Sequence, residues 1–160
     1  MIYDNSKVRR QDRLLTEERA EELLLKSEYG ILSMIDTEGL PYCVPLNFVW
    51  DKANSVYVHC APEGRKVNAL MKNPDVSFCI IGNVNLLPGK FTTEYESVIM
   101  EGKAELNITD AEKAKAIELL LEKLSPKDIA VGRKYAEKSF HRTRVIRIDF
   151  TKWSGKTKKL

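Results

Sequence analysis

The chain has 160 residues, 43% hydrophobic and 31% charged, with a formal net charge of +3. That length and apolar content suit a single domain over residues 1–160, with loosely ordered ends at 1–10 and 157–160, and no apolar run reaches the roughly 18 residues that span a bilayer. The opening Met1-Ile2-Tyr3-Asp4 lacks the layout of a secretory signal, so a cytoplasmic protein without membrane contact is expected.

Thr16 to Ser27 combines a capping residue, an acidic first turn and an apolar stripe, which predicts an amphipathic helix. Tyr29 to Ile35 and Tyr42 to Trp50 are β-branched and apolar runs separated by Thr37-Glu38-Gly39, a spacer suited to a hairpin. Ser55 to Cys60 is a third strand after the polar turn Asp51-Lys52-Ala53-Asn54. Such short links cannot carry a parallel crossover, so this is an antiparallel meander.

A helix beginning near Arg65 places Val67, Leu70 and Met71 on one side and stops at Asn73-Pro74, because the residue before proline resists the helical region. Asp75 to Ile81 and Glu94 to Glu105 are the next strands. Thr109-Asp110-Ala111-Glu112 is a capping box that opens a helix over Asp110 to Lys123. Ser125-Pro126 restarts the chain, Arg133 to Phe140 is a further helical stretch, and Val145 to Phe150 is the sixth strand. Six short, mostly antiparallel strands with helices between them predict an α+β fold built on a small barrel.

Cys43, Cys60 and Cys79 are odd in number and lie in apolar runs, which predicts buried thiols rather than a disulfide framework. With His59 and His141 the only imidazoles, no metal site is expected. Residues 133–160 hold ten Lys/Arg against two Asp/Glu, giving +8 there and −5 over the rest. That basic segment shows no alternation with aromatic residues and no nucleic-acid motif, so no nucleic-acid partner is expected.

The stretch Val56-Tyr57-Val58-His59-Cys60-Ala61-Pro62-Glu63-Gly64-Arg65-Lys66 runs from a strand through a Pro/Gly turn into a helix that opens with two cations. Cations sit at the unfavourable end of a helix dipole, whereas the free N–H groups there favour a phosphate. Two readings remain open from these residues: an anion site, or two solvated surface cations. Asn47 is a second signal, because an amide in an apolar strand run costs free energy unless it finds a partner.

Pro41-Tyr42-Cys43-Val44-Pro45-Leu46-Asn47-Phe48, His59-Cys60-Ala61-Pro62-Glu63-Gly64-Arg65-Lys66, Asn73-Pro74-Asp75-Val76-Ser77-Phe78 and Tyr95-Glu96-Ser97-Val98 occur in this order. Together they resemble the pyridoxamine 5′-phosphate oxidase-related, FMN-binding split-barrel family, and within it the 5-nitroimidazole resistance (Nim-like) flavoproteins. The resemblance covers about residues 9–156. It implies a homodimer with FMN at the subunit interface and a small-molecule substrate.

By the same resemblance Arg65 and Lys66, after Gly64, hold the FMN phosphate. Val44, Pro45, Leu46 and Asn47 line the edge of the flavin ring, with His59, Cys60 and Ala61 beside it. Ser97 matches a position that contacts the cofactor. Trp153 and Lys156 match a C-terminal signature that touches the partner subunit's cofactor. Core packing is the competing reading for Val44, Pro45 and Leu46, and a satisfied strand histidine for His59.

The resemblance implies an FMN-dependent oxidoreductase that passes electrons to a small organic acceptor such as a nitroimidazole, with His59 orienting that acceptor. No side chain need act as nucleophile, which suits a sequence without a triad or paired catalytic carboxylates. The C-terminal arginine- and histidine-containing motif of the oxidase proper is not intact, which disfavours pyridoxamine phosphate oxidation. Alternatives are a deazaflavin enzyme, a flavin reductase, or a flavin- or haem-binding split-barrel module without turnover.

Overall fold

A computed structural model describes residues 1–160. The strands are β1 (Ile2–Tyr3), β2 (Tyr29–Ile35), β3 (Pro41–Trp50), β4 (Ser55–Cys60), β5 (Asp75–Leu87), β6 (Thr92–Glu105) and β7 (Arg144–Lys158). The helices are α1 (Glu17–Lys26), α2 (Arg65–Lys72), α3 (Asp110–Leu124) and α4 (Ile129–Ser139). Strand order is β1-β7-β4-β3-β2-β5-β6, and β6 pairs back onto β7, so the six longer strands close into a barrel. All these barrel pairings are antiparallel; β1 adds a seventh strand, parallel to β7, through Ile2 opposite Lys152 and Tyr3 opposite Trp153.

The barrel is an α+β split barrel because β3 leaves β4 early. Their register covers only Phe48, Val49 and Trp50 opposite Val58, Tyr57 and Val56, whereas β4 stays paired with β7 from Ser55 to Cys60. From Asn47 back to Pro41, β3 therefore has β2 on one side and an opening on the other.

The interior follows the two-residue strand period. Leu32, Phe48, Val58, Phe78, Ile80, Met100 and Ile148 are buried within it, and the Phe48 and Phe78 rings meet edge to face at 5.2 Å. Thr16 accepts a hydrogen bond from the Arg19 N–H at the start of α1, which buries Ala20, Leu23 and Leu24 against the barrel.

Several elements differ from expectation for identifiable reasons. β5 continues past Ile81 to Leu87 through a register shift between Gly82 and Asn85, with Asn83 at φ 49°. β7 continues past Phe150 to Lys158 across a shift opposite Glu101 and Gly102. There the backbones come so close that a Cβ on Gly102 would lie 2.0 Å from the Asp149 carbonyl oxygen.

α4 starts at Ile129 rather than Arg133: the Gly132 N–H already donates to the Asp128 carbonyl at 2.9 Å, and Gly132 lies close against Leu121. In α2, Val67, Ala69 and Leu70 are buried while Met71 is 72% exposed, so Met71 leaves the apolar face assigned to it. At the ends, Asp4 donates its N–H to the Trp153 carbonyl and Lys158 still belongs to β7, where looser chain was expected. No helix is long and apolar enough to cross a membrane.

Candidate functional site

α2 begins beside the opening between β3 and β4. Its first flanking residue, Gly64, has φ 128°, a backbone conformation that suits glycine, and nothing lies within 4 Å of where its Cβ would be. The helix start has no side-chain cap and no acidic residue in its first turn, so no side chain satisfies its leading N–H groups.

The two cations at this start have different fates. Arg65 donates to the Asp36 carboxylate at 2.7 Å and lies over the Tyr42 ring, 4.1 Å from its centroid. Lys66 has no carboxylate partner; its charge instead acts on the neighbouring His59 and Cys60. Arg65 is thus engaged with the turn between β2 and β3, whereas Lys66 pairs with no carboxylate.

Sheet parity divides the β3 residues. Pro45 and Asn47 are exposed, whereas Val44 and Leu46 are partly buried and pack against the hydrophobic core. The Asn47 amide has found its partner, donating from Nδ2 to the Glu28 carbonyl at 2.9 Å. Across the outer surface, Pro45, Ile31, Cys79, Ile99 and Ser154 form one cross-strand row over β3, β2, β5, β6 and β7. Ile81, Ser97 and Lys156 form a parallel row next to it. Ser97 and Lys156 are thus brought together.

Trp153 is not available at that surface. It is 3% exposed, stacked edge to face with Tyr3 at 4.8 Å between centroids, and its Nε1–H has no hydrogen-bond partner. Contact between its ring and a cofactor of a partner subunit is incompatible with this packing.

β4 separates His59 from Cys60. The half-buried Cys60 packs against the core, and burial raises its thiol pKa, partly offset by Lys66. Cys79 is likewise half-buried, but Cys43 is exposed, contrary to the expectation of three buried thiols. His59 points the other way, to the mouth of a cleft under α3 and α4. It remains exposed, yet partial burial among the cleft walls, and then the Lys66 charge, hold its imidazole pKa below the ordinary value. Ala61 and Gly64 lie exposed in the turn that follows. Arg144 fixes that turn by donating from Nε to the Pro62 carbonyl at 3.1 Å.

Asp36, Tyr42 and Arg144 are the site residues that sequence reading missed. Asp36 carried a local signal, an aspartate opening a turn that ends in Gly39, and its Oδ1 accepts from the Glu38 and Leu40 N–H groups. Arg144 carried none, since its partner is 82 residues away. The basic C-terminal segment is divided between α4 and β7, with Arg133 paired to Glu118 and Arg147 to Glu112 and Asp149.

Residues 16–157 match the family model described as pyridoxamine 5′-phosphate oxidase. Comparison with curated proteins gives no match. Among solved structures, a candidate 5-nitroimidazole antibiotic resistance protein from Bacteroides thetaiotaomicron is 24% identical with a TM-score of 0.73, over 91% of this chain and 86% of that one. The flavocytochrome Anf3 from Azotobacter vinelandii is 22% identical with a TM-score of 0.77, over 91% and 68%. An FAD- and haem-binding protein from Mycobacterium smegmatis is 18% identical with a TM-score of 0.78, over 92% and 74%. At these identities the likeness establishes the fold, while function has to be argued from the site.

Proposed function

Because this chain belongs to the pyridoxamine 5′-phosphate oxidase family, we propose that it is a homodimeric FMN-binding oxidoreductase that passes electrons to a small organic acceptor of the nitroimidazole type. The observation that carries this reading is the uncapped start of α2, where Gly64 leaves room, the first turn holds no acidic residue and Lys66 has no carboxylate partner. Those features suit a phosphate monoester, which combines negative charge with several acceptor oxygens.

The chemistry supplied there by bound FMN is the acceptance and release of electrons or hydride. Lys66 and the α2 N–H groups would hold the phosphate. The free edge of β3 from Val44 to Asn47 would meet the polar rim of the ring with backbone groups. His59 would hydrogen-bond an acceptor and stabilise the charge that it gains. Homodimerisation is supported by the row Pro45, Ile31, Cys79 and Ile99, together with Tyr29 at 61% and Ile81 at 54% exposure, an apolar strip that a second copy would cover. Haem- or FAD-binding relatives of the same fold make a carrier without turnover the competing reading.

Titration of FMN and riboflavin into the wild type and Lys66→Ala tests the cofactor site. The variant should lose about tenfold or more in FMN affinity with riboflavin little changed; an equal loss for both ligands contradicts a phosphate role. Anaerobic photoreduction of the loaded protein, followed by excess nitroimidazole, tests turnover. Return of the oxidised flavin absorbance supports the oxidoreductase, and persistence of the reduced spectrum favours the carrier.

A further inference from the structure

The cleft that receives His59 has a volume of about 440 Å³, within the range of small-molecule sites. α3 lines it with residues that include Leu121 and Leu124, and α4 with Val131 and Tyr135. The helices are held in close contact at Gly132, where a Cβ would stand 2.6 Å from Leu121 Cδ2. Val131 and Tyr135, one turn apart on α4, are each 70% exposed, so apolar surface is left uncovered along the mouth.

The charge of the lining is informative. Asp128 is its only formally charged side chain, and it contains neither lysine nor arginine. Ser139 and Thr143 are already engaged, their hydroxyls donating to the carbonyls of Tyr135 and Ser139. His59 is thus the polar group on the β4 side of the cleft that is left for a ligand.

We propose that this cleft is the acceptor site and that it selects uncharged, flat ring compounds over phosphorylated or carboxylated ones. A phosphate ester entering here would give up hydration, find no cation in the lining itself and approach Asp128, whereas a neutral ring would bury apolar surface and keep one hydrogen bond to His59. The depressed basicity of His59 agrees with this selection, because a neutral imidazole offers one donor and one acceptor without a positive charge. The assignment as acceptor site rests on the oxidoreductase reading; the ligand preference rests on the lining alone.

The matched pair 2-naphthol and 2-naphthyl phosphate, titrated into the full-length protein, tests the preference. Naphthol should bind about tenfold or more tightly than its phosphate and shift amide resonances in α3, α4 and the end of β4. Val131→Trp, at an exposed position on the mouth, should weaken naphthol by about fivefold or more while leaving the circular dichroism unchanged. Equal or tighter binding of the phosphate within the cleft, read from the α3 and α4 resonances and kept apart from any binding at Lys66 by repeating the titration in Lys66→Ala, overturns the inference, as does absence of naphthol binding or indifference to Val131→Trp. FMN is titrated separately: naphthol selection without FMN binding defeats the cofactor reading alone, and FMN binding without naphthol selection defeats this inference alone.

Discussion

The Arg65 guanidinium donates to the Asp36 carboxylate at 2.7 Å and so ties the first residue of α2 to the turn between β2 and β3. Asp36 is 4% exposed and also accepts two backbone N–H groups of its own turn, at 2.9 Å each. A buried carboxylate held by three donors needs its cation, so Arg65 organises the start of α2 through this pair.

That pair should be visible in acid. Arg65 first, and then the Leu40 N–H, hold the Asp36 carboxyl below its usual range. The unfolded chain consequently takes up this proton first, so the pair's contribution is present above about pH 4 and is lost as pH falls through the lower folded value. Denaturant unfolding should find Arg65→Ala less stable than wild type at neutral pH, with the gap shrinking as pH falls below about 4 and through the lower folded value. A gap of the same size at both pH values refutes the coupling.

His59 should give a slope at higher pH. Its folded pKa lies below the ordinary value of about 6.5, so the unfolded chain binds more protons and stability declines as pH falls from about 7 through the folded value. His59→Leu should flatten that slope in thermal unfolding between about pH 7 and 5. An unaltered slope would assign it to other groups.

Two adjacent residues of α2 should differ sharply. Leu70 is 1% exposed and Met71 is 72% exposed. Leu70→Ala should cost about 2 to 5 kcal/mol, and Met71→Ala within about 0.5 kcal/mol of zero. Equal costs in urea unfolding would mean that the burial of this helix is misassigned.

The apolar row on the outer face should govern association. Wild type should scatter light as twice the 18.3 kDa chain, and Ile99→Glu, which puts a charge in the middle of that row, should return the single-chain mass at micromolar concentration. A wild-type monomer with flavin bound would exclude the homodimer, and an Ile99→Glu dimer would place the interface elsewhere.

Much of the architecture was legible because it is encoded locally. The bounds Tyr29–Ile35 and Ser55–Cys60 follow from runs flanked by turn residues, and Thr109 announces α3 through a hydrogen bond from Glu112 three residues on. The uncapped, cationic start of α2 at Gly64 was equally plain. What the amino-acid order could not decide was anything that depends on closure of the barrel.

Alternation along β3 shows that Val44 and Pro45 face opposite ways, but only pairing with β2 and the gap beside β4 make Val44 inward and Pro45 exposed. Trp153 enters the interior because β7 shifts register against β6 before reaching it, and Arg65 meets a carboxylate 29 residues away. His59 acquires its cleft from helices that follow it by more than fifty residues. Local sequence specifies periods, caps and turns, whereas the inward face, the salt-bridge partner and the walls of a cavity come from residues distant in the chain, whose approach costs loop entropy and is settled only by collective packing.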